Sequence, residues 1–207
     1  FLDEAQIQPE MFADCAALHF CSVDLVDWPV RAAHRRAITL AREAGALISF
    51  DPNVRLPLWD DPADCQAAIR AFLPSADLVK LSDDEVEFVT GCTDERAAAK
   101  QLFEGGCKLL LVTRGANGSA VYTPQTEAFT DTLSVPVTDT TGAGDSFIGS
   151  FLYQLTRDGV GVDDLSALPQ AQLEAYLRFS AQYASLTVQH KGAVMATLDE
   201  LKQAYPD

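Results

Sequence analysis

The sequence predicts an α/β fold of three layers, in which helices cover both faces of a mostly parallel sheet. Two observations lead to this prediction. Apolar segments of strand length alternate along the chain with amphipathic segments of helix length, an order typical of units with right-handed crossovers. One segment, "KLLLVT" (108–113), has the unbroken apolar centre of a strand that is buried on both faces of a parallel sheet. We therefore expect a single α/β domain over 1–207.

The first half of the chain supplies three strands of this sheet. They are the apolar runs 17–23, 46–51 and 77–81. The helix between the first two covers about 29–44 and ends at Gly45. The next helix is capped by Asp60 or Asp61 and reaches about Leu73.

Helix-start signals continue after the third strand. Ser82 followed by Glu85 has capping-box spacing, which predicts a short helix that ends near Gly91. Asp94 starts another helix, which ends before Gly105. The later strands are predicted at 108–113 and, shorter and antiparallel, at 119–123, 127–130 and 133–138. Helices then follow from the turn "DTTGAGDSF", over about 170–189 and over 198–205.

Composition limits the partners of this domain. Thirty acidic residues against fifteen basic ones give a formal net charge of -15, which disfavours nucleic acid and anionic membranes as partners. A small anion such as ATP remains compatible, because backbone N–H groups and a metal ion can supply local positive potential. The five cysteines are scattered without a CxxC pair, which indicates reduced thiols and a cytoplasmic location. No apolar run approaches the roughly 18 residues that span a bilayer.

Several polar residues follow predicted strand ends. Asp51, Ser82, Thr113 and the glycine turn after residue 138 all lie just beyond a strand. Because parallel sheets bind ligands at the carboxyl ends of their strands, we expect these residues to share one crevice.

The glycine turn "TTGAGD" (140–145) carries the clearest chemical signal. Gly142 and Gly144 allow the backbone to approach a ligand, and the following helix directs free N–H groups at it, which predicts an anion hole. The turn has no lysine, so a P-loop is excluded. Asp145 lies in the first helical turn, where the dipole favours its ionised form, and it is either a catalytic base or an ordinary capping residue.

The stretch "DTTGAGDSF" resembles the C-terminal signature of the ribokinase-like (PfkB) carbohydrate kinases. Four further stretches resemble family segments in the same order: "FDPNVRLPLW" (50–59), "KLSDDEVEFVTG" (80–91), "VTRGANGSAVY" (112–122) and "HKGAV" (190–194). The resemblance implies a ribokinase-like fold and ATP-dependent phosphoryl transfer to a sugar hydroxyl. The first of the four is similar to the form found in bacterial fructokinases and 2-keto-3-deoxygluconate kinases, so fructose is the expected substrate and 2-keto-3-deoxygluconate the alternative.

The resemblance also implies roles for individual residues. It makes Asp145 the base and Gly142, Ala143 and Gly144 the anion hole. Glu85 is implied as a Mg²⁺ carboxylate acting through water. The implied ATP-binding residues are Ser82, Thr113, Gly115, Gly118 and Gly192, and the implied ligands of a monovalent cation such as K⁺ are Asp139 and Thr141.

Each of these positions also has a purely structural interpretation. Glu85 could serve only as the partner of the Ser82 cap, and Gly115 and Gly118 could form only a hairpin turn. Asp139 and Thr141 could be turn residues only. Arg55 is either a surface or ion-pair residue or, through its guanidinium fork, a binding residue for a sugar acid or phosphate. The three histidines show no metal spacing and receive no catalytic role.

The resemblance covers the nucleotide and catalytic half of the family pattern. Nothing in 1–207 matches the family's N-terminal glycine-rich, Asn-containing segment or the small sheet that forms the sugar pocket and lid, and we expect the natural polypeptide to begin earlier. The isolated chain is therefore expected to bind ATP weakly and to phosphorylate sugar poorly or not at all. The alternative is a non-catalytic nucleotide-binding module. An uncovered sheet edge predicts modest stability or association, for example a homodimer.

Overall fold

The computed structural model describes residues 2–206, which form one six-stranded sheet with helices on both faces. The strands are β1 (Ala17–Cys21), β2 (Leu47–Asp51), β3 (Leu78–Ser82), β4 (Leu109–Thr113), β5 (Ser119–Tyr122) and β6 (Glu127–Thr130). Their order in the sheet is their order in the chain. The first four strands are parallel, and β5 and β6 are antiparallel, which confirms the predicted mostly parallel sheet.

Helices fill the connections at the predicted places. They are α1 (Pro29–Glu43), α2 (Pro62–Phe72), α3 (Asp83–Thr90), α4 (Glu95–Glu104), α5 (Ala143–Arg157), α6 (Gln170–Thr187) and α7 (Leu198–Ala204). The capping residues explain several of these bounds, because Asp61 accepts from the N–H of Ala63 and Asp94 accepts from that of Ala97. Gly91 ends α3 in the left-handed conformation.

The sheet has two faces with different covers. The α1–α4 face is apolar along the strands and includes Phe20 stacked on Phe50, with 4.4 Å between ring centroids. The opposite α5–α6 face packs leucines of the strands against Phe151 and Tyr176. Successive side chains of a strand point to opposite faces, which is why a continuous apolar run such as β4 feeds both cores.

The α5–α6 face changes character along the strands. Its amino-terminal half is apolar and contains Leu78 and Leu109. Its carboxyl-terminal half carries Asp51, Lys80 and Thr113, which occupy strand positions of the same parity as those leucines. The polar half lies beneath the start of α5, where the candidate site is found.

One predicted strand is absent. Residues 133–138 form no strand, although they were expected to pair in an antiparallel manner. Pro136 has no N–H to donate, and the N–H groups of Thr138 and Asp139 both donate to the carbonyl of Val188, at 2.8 and 3.2 Å. The segment is therefore held by the end of α6 instead of by the sheet.

Within residues 2–206, β1 is one of the two edge strands of the sheet. Beside it lies an apolar groove of about 230 Å³, lined in part by Leu47, Leu152 and Leu155. Among the helices of this part of the chain, none has both the length and the apolar character needed to cross a bilayer.

Candidate active site

A cleft of about 920 Å³ opens at the carboxyl ends of β2, β3 and β4. It brings together most of the residues predicted from sequence: Arg55, Ser82, Glu85, Thr113, Gly115, Thr141, Gly142, Gly144 and Asp145. Four predicted residues do not line it: Gly118, Asp139, Ala143 and Gly192. The expectation of one shared crevice therefore agrees with the fold.

The start of α5 forms one wall of this cleft. Gly142 is its N-cap, with φ +80°, a conformation that suits glycine. The N–H of Ala143 donates to the carbonyl of Thr140 at 3.2 Å. The N–H groups of Gly142, Gly144 and Asp145 have no acceptor within residues 2–206. These free donors, together with the helix dipole, can bind an anionic group.

The side chain of Asp145 extends from the same helical turn. It is the third residue of α5, it is exposed to the cleft, and its carboxylate accepts no hydrogen bond from the described residues. A capping aspartate would accept an N–H from its own helix, and Asp145 does not. The geometry therefore favours the base over the cap, because the carboxylate remains available for a hydroxyl proton.

Glu85 is held by two backbone groups. Its Oε2 accepts from the N–H of Ser82 at 2.9 Å, and its Oε1 accepts from the N–H of Val54 at 2.6 Å. The predicted capping contact is thus present, and the same carboxylate also ties the loop after β2 to the start of α3. Each oxygen accepts only one of these hydrogen bonds and Glu85 lines the cleft, so the capping role leaves acceptor capacity for a water-mediated metal contact.

The described residues contain no group of three or more His, Cys, Asp and Glu side chains close enough to enclose a metal ion. Magnesium in phosphoryl-transfer enzymes is usually held by one or two carboxylates, substrate phosphates and water. A single carboxylate at the cleft wall fits that ligand set, whereas a dedicated protein cage is not found in this part of the chain.

Asp139 clamps two loops together. Its Oδ1 accepts from the N–H and the hydroxyl of Thr141, at 2.9 and 2.7 Å, and its Oδ2 accepts from the N–H of Gly192 at 2.8 Å. The hydrogen bonds from Thr141 and then from Gly192 hold the pKa of Asp139 below its ordinary value. The glycine turn is thereby attached to the late loop 190–194, although more than fifty residues separate them.

Gly118 lies apart from the cleft, in a tight turn between β4 and β5. Its N–H donates to the hydroxyl of Thr132 at 3.0 Å, and its carbonyl accepts from the N–H of Arg114 at 2.8 Å. Its φ is +88°, and a Cβ there would overlap the carbonyl oxygen of Thr130. The turn interpretation accounts for Gly118, while Gly115 and Thr113 face the cleft.

Arg55 lines the cleft and is exposed. Its Nη1 donates to the carbonyl of Val54 at 3.1 Å. Of the salt bridges that the described part of the chain contains, none involves Arg55. The guanidinium therefore retains donors for a ligand.

A buried ion pair at the floor of the cleft was not found from the sequence. Lys80 Nζ lies 2.9 Å from Asp51 Oδ2, with 7% and 4% of the two side chains exposed. Burial raises the pKa of Asp51, and the neighbouring Lys80 opposes that shift. The available signal was the charge of Lys80 inside the apolar strand "DLVKL", but its partner comes from another strand and no local pattern identifies it.

Comparison with known proteins shows that the chain is similar to sugar kinases. The family model described as pfkB family carbohydrate kinase matches residues 3–200. Fructokinase-2 of Solanum lycopersicum is 38% identical over 196 residues, which are 94% of this chain and 58% of that protein. The chain thus spans less than two thirds of the length of that relative.

Solved structures show the same likeness. The crystal structure of fructokinase from Xylella fastidiosa with bound ATP superposes with a TM-score of 0.86 and 30% identity, covering 98% of this chain and 66% of the other. Fructokinase from Vibrio cholerae O395 in its fructose, ADP and calcium ion bound form gives a TM-score of 0.80 and 31% identity, covering 95% and 64%.

Proposed function

The chain belongs to the pfkB family of carbohydrate kinases, and we propose that the whole protein transfers the terminal phosphoryl group of ATP to a hydroxyl of fructose. The observation that carries this proposal is the start of α5. There the unbonded carboxylate of Asp145 and the free N–H groups of Gly142 and Gly144 face one cleft. Solved relatives with fructose or ATP bound support the choice of substrates.

In the proposed reaction, Asp145 accepts the proton of the attacking sugar hydroxyl. The sugar oxygen forms a bond to the terminal phosphorus of ATP, and the bond from that phosphorus to the bridging oxygen breaks, with ADP leaving. The N–H groups at the start of α5 donate to the phosphoryl oxygens while charge is redistributed over them. Because these donors are fixed by the helix, they need no rearrangement during the step.

The nucleotide and ion contacts are part of the same proposal. Ser82, Thr113, Gly115 and Gly192 would contact ATP, and Gly118 would act through the shape of its turn. Mg²⁺, held near Glu85 through water, would neutralise phosphate charge. A monovalent cation such as K⁺ would lie near Asp139 and Thr141.

The unpaired state of all five cysteines supports a cytoplasmic location.

Removal of the proposed base is the first test. In the full-length protein, Asp145→Asn should lower kcat by about 10²–10⁴-fold, because proton transfer to a positioned base typically contributes that factor. The dissociation constant for ATP should stay within about twofold, since Asp145 belongs to the hydroxyl side of the reaction. Turnover would be measured by ADP release and ATP affinity by calorimetry.

Asp64→Asn is the matched control for this experiment. Asp64 is also an exposed aspartate at the third position of a helix, α2, and it lies outside the cleft. Its replacement should leave kcat unchanged. An equal loss of turnover and ATP affinity in Asp145→Asn would contradict the role of base and would assign Asp145 a structural role.

2-Keto-3-deoxygluconate should be assayed as a second candidate substrate because of Arg55. Its free guanidinium at the cleft wall suits a carboxylate, which 2-keto-3-deoxygluconate carries and fructose lacks. ADP release would be compared for both sugars with wild type and Arg55→Met. A loss of specificity constant for the acid alone would identify it as the substrate, and a preference for fructose in wild type would exclude it.

A further inference from the structure

The buried Lys80 is used by no step described so far, and its position is unusual for a lysine. It lies within β3 between Val79 and Leu81, both fully buried, and only 7% of its side chain is exposed. A buried ammonium is strongly destabilising unless it is paired. Asp51 provides that pairing from β2, at 2.9 Å.

The ammonium of Lys80 is not fully used by this pairing. An ammonium has three N–H donors, and the contact to Asp51 is the only hydrogen-bonding or ionic contact of Lys80 Nζ found among residues 2–206. Asp51 is itself held in place, because its Oδ1 accepts from the N–H of Asn53 at 3.0 Å. Asp51 therefore fixes the direction of the lysine and leaves two of its donors free.

The free donors are close to the start of α5. A Cβ built on Gly144 would lie 3.2 Å from Lys80 Nζ, so the ammonium fills the space beneath that glycine. Lys80 also lines the cleft together with Gly142 and Asp145. One positive charge thus lies near the start of α5, where the N–H groups of Gly142 and Gly144 are free.

This location resolves a difficulty in the sequence. A glycine turn that binds a phosphoryl group in transfer is expected to have a cation nearby, yet the turn 140–145 contains no lysine or arginine. The fold supplies the missing charge from the strand below the turn. A role confined to holding β2 and β3 together would not require the ammonium to reach α5.

We propose that Lys80 binds the terminal phosphoryl group of ATP from beneath Gly144, and that Asp51 is the residue that positions it. The inference rests on the proposed kinase function. When ATP is bound, the free N–H donors of Lys80 hydrogen-bond to the terminal phosphoryl oxygens and stabilise their charge during transfer. ADP lacks the terminal phosphoryl group, so this contact does not contribute to the binding of ADP.

The test compares a nucleotide that carries a terminal phosphoryl group with one that lacks it. Calorimetry on the full-length protein would measure the dissociation constants of the β,γ-imido analogue of ATP and of ADP for wild type and Lys80→Met. The analogue should bind about 10–100-fold more weakly to the variant, the effect of one lost charge-assisted hydrogen-bonding group. ADP affinity should stay within about twofold, and kcat with fructose should fall.

Two further variants keep the test interpretable. Lys80→Met leaves Asp51 as an unpaired buried carboxylate, so the double variant Lys80→Met/Asp51→Asn removes both charges while conserving volume, and should show the same loss for the analogue. Lys108→Met is the matched control, because it removes a lysine that pairs with the exposed Asp163 away from the cleft. It should change neither nucleotide affinity.

The outcomes separate this inference from the proposed function. Equal weakening of the analogue and ADP, or unchanged affinity for both in a double variant that folds, overturns the role of Lys80. Either result can occur while wild type still phosphorylates fructose, so the proposed function would survive. Conversely, a selective loss of analogue binding in a protein that phosphorylates no sugar would retain the role of Lys80 and overturn the kinase assignment.

Discussion

Two loops of this molecule each turn at a glycine of positive φ, and the N–H groups beside these two glycines differ in their hydrogen bonding. The hairpin loop (114–118) and the helix loop (139–145) each contain two glycines, and Gly118 and Gly142 have nearly the same φ, +88° and +80°. In the hairpin loop the N–H of Gly118 is bonded to Thr132. In the helix loop the N–H groups of Gly144 and its neighbour Asp145 have no acceptor within residues 2–206. A glycine at positive φ therefore does not by itself mark an anion-binding position; the N–H groups beside it must also be free, as those of Gly144 and Asp145 are and that of Gly118 is not.

The largest expected effect is on folding, from the hairpin loop. Gly118→Ala should lower the free energy of unfolding by about 2–4 kcal/mol, because the residue would be strained at positive φ and its Cβ would overlap the carbonyl of Thr130. Urea denaturation would measure the loss. Gly115→Ala is the matched control: its φ is +53°, and a Cβ there meets nothing within 4 Å, so only about 1–2 kcal/mol is expected.

Equal stability of Gly118→Ala and Gly115→Ala would contradict this prediction. It would mean that the close approach of the Thr130 carbonyl to position 118 does not affect the free energy of unfolding. Catalytic turnover of folded Gly118→Ala, measured at saturating nucleotide, should remain near that of wild type. A selective loss of turnover without loss of stability would instead place Gly118 in the nucleotide site and remove the contrast between the loops.

The outline of this fold was accessible from the sequence because its signals are local. Helix caps such as Asp94 and the pair Ser82 and Glu85 involve residues within one turn, and the structure places their helices as predicted. The segment 133–138 was predicted wrongly because the alternation of apolar and polar residues in "LSVPVT" does not make a strand without a partner strand. The N–H of Thr138, at its end, donates instead to the carbonyl of Val188, which is about fifty residues away.

An intermediate effect is expected from the helix loop, on catalysis alone. Gly144→Ala should lower kcat by about 10–100-fold, because its Cβ would lie 3.2 Å from Lys80 Nζ and would shift the ammonium beside the proposed phosphoryl site. Stability should change little, because alanine is the better helix residue while the shift of Lys80 strains its buried pairing with Asp51. Steady-state kinetics and thermal denaturation of the same preparations would measure both.

Gly149→Ala serves as the control within the same helix. A Cβ on Gly149 would meet only Met195, at 3.9 Å, which is an ordinary contact. Its turnover should match that of wild type. A loss of stability in Gly144→Ala comparable to that of Gly118→Ala would show that both glycines serve folding and would erase the difference between the two loops.

The smallest effect concerns the pH dependence of the clamp on the helix loop. The pKa of Asp139 is held below its ordinary value, so its carboxylate stabilises the fold above the unfolded pKa, and this contribution is lost as pH falls through the folded pKa. The side chain of Asp139→Asn is neutral and has one acceptor oxygen, so it cannot replace the two oxygens that accept hydrogen bonds from Thr141 and from Gly192. It should therefore be slightly less stable than wild type at neutral pH.

The stability difference between wild type and Asp139→Asn should shrink as the pH falls below the ordinary aspartate pKa. Urea denaturation across that range would measure it. Asp131→Asn is the control, because Asp131 is exposed and accepts no hydrogen bond from the described residues. A difference for Asp139→Asn that stays constant with pH would show that charge is not what holds the two loops together.

The candidate site was predictable in part, for a related reason. Asp145 and the glycines of the helix loop are consecutive in sequence, so their chemistry could be inferred before the fold was seen. The pairing of Lys80 with Asp51 joins side chains of neighbouring strands, and the bond between Asp139 and Gly192 closes a long loop. Such contacts depend on the arrangement of strands and on the path of the late loop, which local patterns do not specify.

The order of the strands has a consequence for how the protein is made. Each strand from β2 to β6 pairs with the strand synthesised just before it, so this sheet can grow while the chain is still being translated. Its α1–α4 face is covered as it grows. The helices that cover the opposite face, α5 and α6, follow all six strands in the chain, so Leu78, Leu109 and Leu111 are synthesised well before the helices that bury them. That interval, several seconds at ordinary translation rates, is when the nascent chain is most exposed to aggregation and most in need of chaperones.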